Sequence, residues 1–292
     1  MLVRVGCSFE SMVAGPTPTI MLVEISHVDV LEVREERFWV EPAFPVHGYQ
    51  DVFGNRCRRF VAPVGDVRVV YDALVSVTGA PDPMLLDAPQ TAIEDLPDDA
   101  LQFTLASRYC QSDLLAGPAW DLFGAVPSGW RRVQAVCNWI HQNVTYGTGS
   151  DSTTSALDVY NARTGVCRDF AHLGVALCRA LSIPARYVFG YLPDAGITPP
   201  DIPMDFHAWF EAFVDGRWRT FDARHNYPRT GRVPIARGRD AVDVAMMTTF
   251  GPSRLQTMTV WSDEVDEGGV ALSGLSAGLL LPRPQPREGS RI

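Results

Sequence analysis

The chain has no run of 18 consecutive apolar residues, no CxxC pair, no HExxH and no internal repeat. Each absence excludes something. The nearest thing to a membrane span, GGVALSGLSAGLLLP at 268–282, is short and glycine-rich, so no transmembrane helix and no membrane partner are expected. The opening MLVRVGCSFE carries Arg4 and no uninterrupted apolar segment, so it does not read as a signal peptide, and the expected location is the cytoplasm. Positive charge is also short: Lys plus Arg number 25 against 34 Asp plus Glu, a formal charge of -9. That balance offers no basic surface field for a phosphate backbone, so nucleic acid is not an expected partner. The six cysteines, Cys7, Cys57, Cys110, Cys137, Cys167 and Cys178, lie far apart. Their spacing argues against a disulfide framework and against a cysteine-based zinc site, and no metal or other cofactor is expected.

What is present is globular. The hydrophobic share is 46% with 20% charged residues, and 292 residues suffice for one large domain or two ordinary ones. Residues 1–80 read as short strands. Val3, Val5, Cys7 and Phe9 alternate with more polar neighbours, and FWVEPAF and VRVVYDALVSVTG are rich in β-branched and aromatic residues. Asp51 with Gly54-Asn55 predicts a tight turn between two of these strands. The expectation is an all-β sandwich over 1–80, and the proline-rich text that follows predicts a linker over 81–100.

From 101 to 281 the pattern changes to helices followed by strands, an α+β layout. AWDLF at 119–123 and RRVQAVCNWIHQNV at 131–144 read as helical, with Ser128 the candidate N-cap of the second. ALDVY follows Thr153, Thr154 and Ser155 as another short helix. TGVCRDFAHLGVALCRALSIP at 164–184 places Phe170, Leu173, Gly174, Leu177, Cys178 and Leu181 at helical spacing. ARYVFGYLP, HAWFEAFV and RWRTFDA then read as strands, the last two joined by Asp215-Gly216, a strong hairpin signal. The tail over 282–292 is expected to fray.

Cys167 stands directly before its helix. Unpaired N–H groups and the positive dipole end there favour an anion, which predicts a lowered thiol pKa and a place for an oxyanion. Cys137 and Cys178, mid-helix, read as buried hydrophobes. A nucleophilic cysteine needs a base, and the base needs an orienting group. With a two-residue turn at 215–216, Val214 faces Arg217, Glu211 faces Thr220 and Trp209 faces Asp222, which makes His207 a diagonal neighbour of Asp222. Asp222 would then fix the tautomer of His207 while His207 serves Cys167. The plain alternative is a buried helix cysteine and a strand histidine beside an acid.

The other polar candidates divide in the same way. His172, five residues past Cys167, points elsewhere on the helix and reads as structural. His225 is a fallback base beside Asp222, and His141, His27 and His47 read as surface or packing residues. Asp169 reads as an N-terminal helix stabiliser, Trp209 as core packing or a shelter for the site, and Gln142 or Asn143 as unselected oxyanion donors. A metal-dependent hydrolase using His172, His207, His225 and acids finds no supporting ligand spacing.

At these residues the sequence resembles the transglutaminase-like family of papain-type cysteine enzymes, in its bacterial branch with an N-terminal β-domain. The resemblance is carried by TGVCRDFAHLGVALCRALSIPARYVFGYLP at 164–193 and FHAWFEAFVDGRWRTFDARHN at 206–226, with YQDVFGNRCRRF at 49–60 similar to that branch's sheet region. It implies Cys167 as nucleophile, His207 as general base and acid, Asp222 as the orienting residue, and mainly structural roles for Trp209 and Glu211. The family commonly has proline directly after the triad aspartate. Here the text is Asp222-Ala223-Arg224-His225-Asn226, which bears on the loop and on what enters the cleft. The expected activity is cysteine-dependent hydrolysis of a peptide or small amide through a thioester, ahead of cross-linking. The rival is an inactive module that keeps the fold.

Overall fold

Val3, Val5, Cys7 and Phe9 of β1 (Leu2–Val13) are buried, as their alternation predicts. The computed structural model describes residues 1–147, 149–197 and 203–272. The chain continues through β2 (Thr17–Met21), β3 (Glu32–Glu41), β4 (Val46–Gln50), β5 (Arg56–Ala62) and β6 (Gly65–Ser76). The turn between β4 and β5 is held by Asp51, whose Oδ1 accepts from the N–H groups of Phe53 at 2.9 Å and Asn55 at 2.8 Å.

The helices follow: α1 (Asp98–Leu101), α2 (Ala116–Phe123) and α3 (Trp130–Asn143). Ser128 does not cap α3. The cap position is Gly129 at φ 88, a backbone geometry that glycine adopts without strain. A Cβ there would lie 2.3 Å from the Ala88 carbonyl oxygen, so glycine also permits the close approach of the preceding segment. Next come β7 (Thr145–Tyr146), α4 (Ala156–Ala162), β8 (Thr164–Gly165) and α5 (Cys167–Ala180). Ser155 caps α4 through a capping box with Asp158. The chain ends its described course with β9 (Ala185–Tyr191), β10 (His207–Val214), β11 (Arg217–Phe221), β12 (Val233–Gly238), β13 (Met247–Thr249) and β14 (Ser253–Val265).

Three four-stranded antiparallel sheets result, in the orders β14-β1-β6-β3, β13-β2-β5-β4 and β11-β10-β9-β12. β14 runs against β1 from Leu2↔Val265 to Val13↔Ser253, so the C-terminal strands complete the sheets that the N-terminus begins. Gly6 is required on β1 because a Cβ there would meet the Trp261 ring at 2.4 Å. The first two sheets face each other across a buried core that also takes Tyr187, Phe189, Tyr191, Phe206 and Ala208 from the third. Tyr191 hydroxyl donates to the Val23 carbonyl at 2.9 Å, tying the third sheet to the first part of the chain.

A second core lies between the third sheet and the helices, where Phe170, Leu173, Leu177, Cys178 and Leu181 meet Phe210, Ala212 and Val214. Gly174 makes this contact possible: a Cβ there would fall 2.5 Å from the Phe210 ring. The architecture is therefore a papain-like α+β core preceded by antiparallel β-sheets. No helix among the described residues is long and apolar enough to cross a membrane. The expected fraying at 282–292 lies outside the described residues.

Candidate active site

The β10–β11 hairpin is built by its turn. Asp215 and Gly216 both take positive φ, 55 and 66, which matches the twist of the flanking strands. The register is Val214↔Arg217, Glu211↔Thr220 and Phe210↔Phe221, as the spacing predicts. His207 begins β10 and Asp222 directly follows β11, and His207 Nε2 lies 2.8 Å from Asp222 Oδ2.

Asp222 is the most heavily hydrogen-bonded group in the region. Oδ2 accepts from His207 Nε2, from His225 Nδ1 at 3.0 Å and from Arg232 Nη2 at 2.9 Å. Oδ1 accepts from the N–H groups of Arg224 at 3.1 Å and His225 at 3.2 Å. Burial alone would raise this carboxyl, but the neighbouring His207, Arg232 and His225 outweigh it and hold it well below the carboxylate range. An ionised carboxylate only accepts, so His207 carries its proton on Nε2 and exposes a lone pair at Nδ1. Nδ1 is buried and, among the described residues, has no hydrogen-bond partner. Burial lowers the His207 imidazole to about 4, so it is neutral near pH 7.

Arg232 and Asp82 complete the site without a signature in the sequence. Arg232 sits over the Trp209 ring at 5.0 Å, and its Nε donates to Asp82 Oδ2 at 2.9 Å. Asp82 belongs to the proline-rich segment, which is anchored here: Pro81 bridges Thr230, and the Asp82 N–H donates to the Arg229 carbonyl at 2.8 Å. No local pattern announces an ion pair between residues so far apart in sequence.

Cys167 is the first residue of α5. Asp169 Oδ2 accepts the Val166 N–H at 2.8 Å and fixes the entry to the helix, and Gly165 leaves room for it. A Cβ at Gly165 would lie 2.8 Å from Asp169 Cβ. Cys167 as a residue is half-buried, its thiol lies on the buried side, and the Ala208 N–H, from the residue after His207, favours the thiolate. The expected lowering of its pKa is overturned. Burial raises it, and the Ala208 N–H and the Arg224 charge offset only part of that cost. Cys137 and Cys178 are fully buried and raised further from reactivity by the same cause.

The remaining candidates have structural partners. His172 is buried, accepts the Ala241 N–H at 3.1 Å through Nε2 and stacks on Tyr109 at 5.0 Å. Asn143 Nδ2 donates to the Trp139 carbonyl of its own helix at 2.8 Å. Glu211 is buried and holds Arg237 at 2.9 Å and Arg186 at 2.6 Å. His225 is a second donor to Asp222, its Nε2 lying 3.2 Å from Arg229 Nη1. His207, Asp222 and His225 bring three potential metal-ligating atoms within 4.8 Å of one another. The shared oxygen already carries the Arg232 guanidinium, whose charge opposes a cation there.

A model of the transglutaminase-like superfamily matches residues 122–223. The crystal structure of a cysteine-protease candidate from Cytophaga hutchinsonii is 36% identical and superimposes with a TM-score of 0.83, covering 91% of each chain. An uncharacterised protein of Mycobacterium leprae is 33% identical over 119 residues, 39% of this chain and 42% of that one. An uncharacterised protein of Mycobacterium tuberculosis is 38% identical over 117 residues, 36% of this chain and 37% of that one. The matched region spans about two-fifths of the length of these curated relatives. With the helix-borne cysteine, the His-Asp hairpin and a relative that matches along nearly its whole length, the chain belongs to the transglutaminase-like superfamily of papain-type cysteine enzymes.

Proposed function

We propose that this protein is a cysteine-dependent hydrolase or acyltransferase acting on amide bonds, with Cys167 as nucleophile, His207 as base and acid, and Asp222 as the orienting group. The observation that carries the reading is the His207 imidazole: Nε2 is held by Asp222 at 2.8 Å, while buried Nδ1 keeps an unused lone pair. A buried, unpaired acceptor costs stability, and a role in accepting a proton accounts for it.

The thiol proton passes to Nδ1 and the sulfur attacks the carbonyl carbon of the amide. The oxyanion that forms is stabilised in part by the Cys167 N–H at the start of α5. The C–N bond breaks as Nδ1 returns the proton to the leaving amine, which leaves a thioester. Water, giving a proton to Nδ1, then releases the carboxylic acid and restores the thiol; an amine acceptor would give transfer instead. The chain contains no lysine, since all 25 of its basic residues are arginine. An ε-amine acceptor would have to come from another molecule, which favours hydrolysis over self-cross-linking. The six free thiols fit a reducing, cytoplasmic setting.

One observation favours the rival, an inactive module that keeps the fold: burial raises the Cys167 thiol. Iodoacetamide alkylation followed by mass spectrometry separates the two. If His207 activates the thiol, labelling of Cys167 stays fast below pH 7 in the wild type and slows in H207A. Slow labelling that is identical in both proteins, and no faster than at Cys137 or Cys178, would establish the inactive module.

A further inference from the structure

The loop after Asp222 carries an arginine whose backbone and side chain are both held. The Arg224 N–H donates to Asp222 Oδ1 at 3.1 Å, and its carbonyl lies 2.9 Å from His141 Nδ1. Its guanidinium lies 4.0 Å from the centre of the Tyr146 ring. Tyr146 is fixed in turn: β7 pairs in parallel with β8, with Tyr146 opposite Gly165, and its ring centre lies 6.0 Å from that of Phe170. Gly165 lies two residues ahead of Cys167, so the stacked pair flanks the thiol.

Arg224 is half-buried, and among the described residues it has no carboxylate within ion-pairing distance. Nearby Arg229 and Arg232 each have one: Arg229 pairs with Asp194 at 3.4 Å and Arg232 with Asp222 at 2.9 Å. An arginine clamped by its backbone, laid on an aromatic face and, among the described residues, in no close ion pair, with Asp205 feeling its charge at longer range, resembles a preformed receptor for a planar anion.

We propose that Arg224 is a specificity residue that receives a carboxylate carried by the substrate next to the reacting carbonyl. The preferred substrates are then acidic peptides or amides. This rests on the reading of Cys167 as the nucleophile and names the class of amide it attacks. The thiol feels the Arg224 charge, which acts against burial to favour the thiolate. Asp205 is the opposing charge. Its field reaches the same thiol, and burial raises its carboxyl against the Phe206 N–H, which it accepts at 2.7 Å, and the Arg224 charge, so Asp205 competes with a substrate carboxylate for Arg224. With a formal charge of -9, the long-range field of the protein repels anions. A preference for an anionic reagent at Cys167 therefore has to come from a local cation.

The test uses the full chain and two alkylating probes of equal intrinsic reactivity, N-iodoacetylglycine and N-iodoacetylglycinamide, which differ by one carboxylate. Rates at Cys167 are read by mass spectrometry and expressed as the acid-to-amide ratio relative to glutathione. In the wild type the ratio exceeds that of glutathione. In R224Q it falls by about five-fold, the upper range for a partly exposed ion pair, and in R224E it falls further. R224K, which keeps the charge, retains part of the preference, and D205N raises the ratio. Thermal melts verify that each variant is folded. A wild-type ratio at or below that of glutathione, or a ratio unchanged in folded R224Q and R224E, overturns the proposal. Failure of the nucleophile reading shows separately, as a slow absolute rate at Cys167 that is insensitive to H207A.

Discussion

Arg232 Nη2 donates to Asp222 Oδ2 at 2.9 Å while its Nε donates to Asp82 at 2.9 Å, so one buried guanidinium joins the segment before the helices to the end of the β10–β11 hairpin. Both side chains of the Arg232–Asp222 pair are nearly inaccessible, at 7% and 5%. Removing one partner strands the other charge. R232M is expected to destabilise the fold by about 3 kcal/mol, measured by urea denaturation. D82N, whose acid is more exposed, should cost less, and both should slow His207-dependent alkylation of Cys167.

Gly190 stands directly opposite His207 in the β9–β10 register. A Cβ at this position would lie 2.4 Å from the Val233 carbonyl oxygen and 2.9 Å from Pro234 Cα, backbone atoms that cannot swing aside. G190A is expected to cost about 1–3 kcal/mol, as overpacking does, and to disturb His207 as well as β12. A thermal melt together with the Cys167 labelling rate checks this; a neutral result in both would show that the strand relaxes freely.

Glu211 neutralises two arginines at once, Arg186 and Arg237, and none of the three is among the charges that act on the Cys167 thiol. The buried carboxylate stays ionised because both cations outweigh desolvation. E211Q should lower stability by about 3 kcal/mol while leaving the pH profile of Cys167 labelling in the remaining folded protein near that of the wild type. A changed profile would tie Glu211 to the site itself.

Burial lowers His207 from its ordinary 6.5 to about 4. Between these values the unfolded chain binds the proton and the folded protein does not. Stability is therefore fully present above pH 6.5 and is lost as pH falls toward about 4. His172, buried and lowered for the same reason, contributes in the same direction. Replacing His207 with glutamine should flatten the plot of melting temperature against pH between 6.5 and 4 without abolishing the slope. An unchanged slope would mean that His207 is solvated in the folded state.

Much of the hairpin was legible because the information is local. Asp215 and Gly216 specify a two-residue turn, the turn fixes the register, and the register carries His207 to Asp222. Cys167 could be placed at a helix start for the same reason: the apolar spacing of Phe170, Leu173, Leu177 and Leu181 sets where the helix lies. The start of α3 is not legible in the sequence because Gly129 stands at the cap position without a side chain, which leaves no signature there.

By itself the sequence determined the α+β layout, the order of its elements as far as β11 and the His207–Asp222 pairing, since each follows from periodicity or turn chemistry within a few residues. Only the tertiary structure decided what surrounds them. Burial, set by how the sheets and α5 close on one another, raises the Cys167 thiol that its helix position alone would lower. The ion pairs of Arg232 with Asp82 and Asp222, the stacking of Arg224 on Tyr146, and the return of β14 to β1 likewise join segments far apart in the chain. Such contacts depend on packing geometry, for which no short stretch of sequence carries the distance.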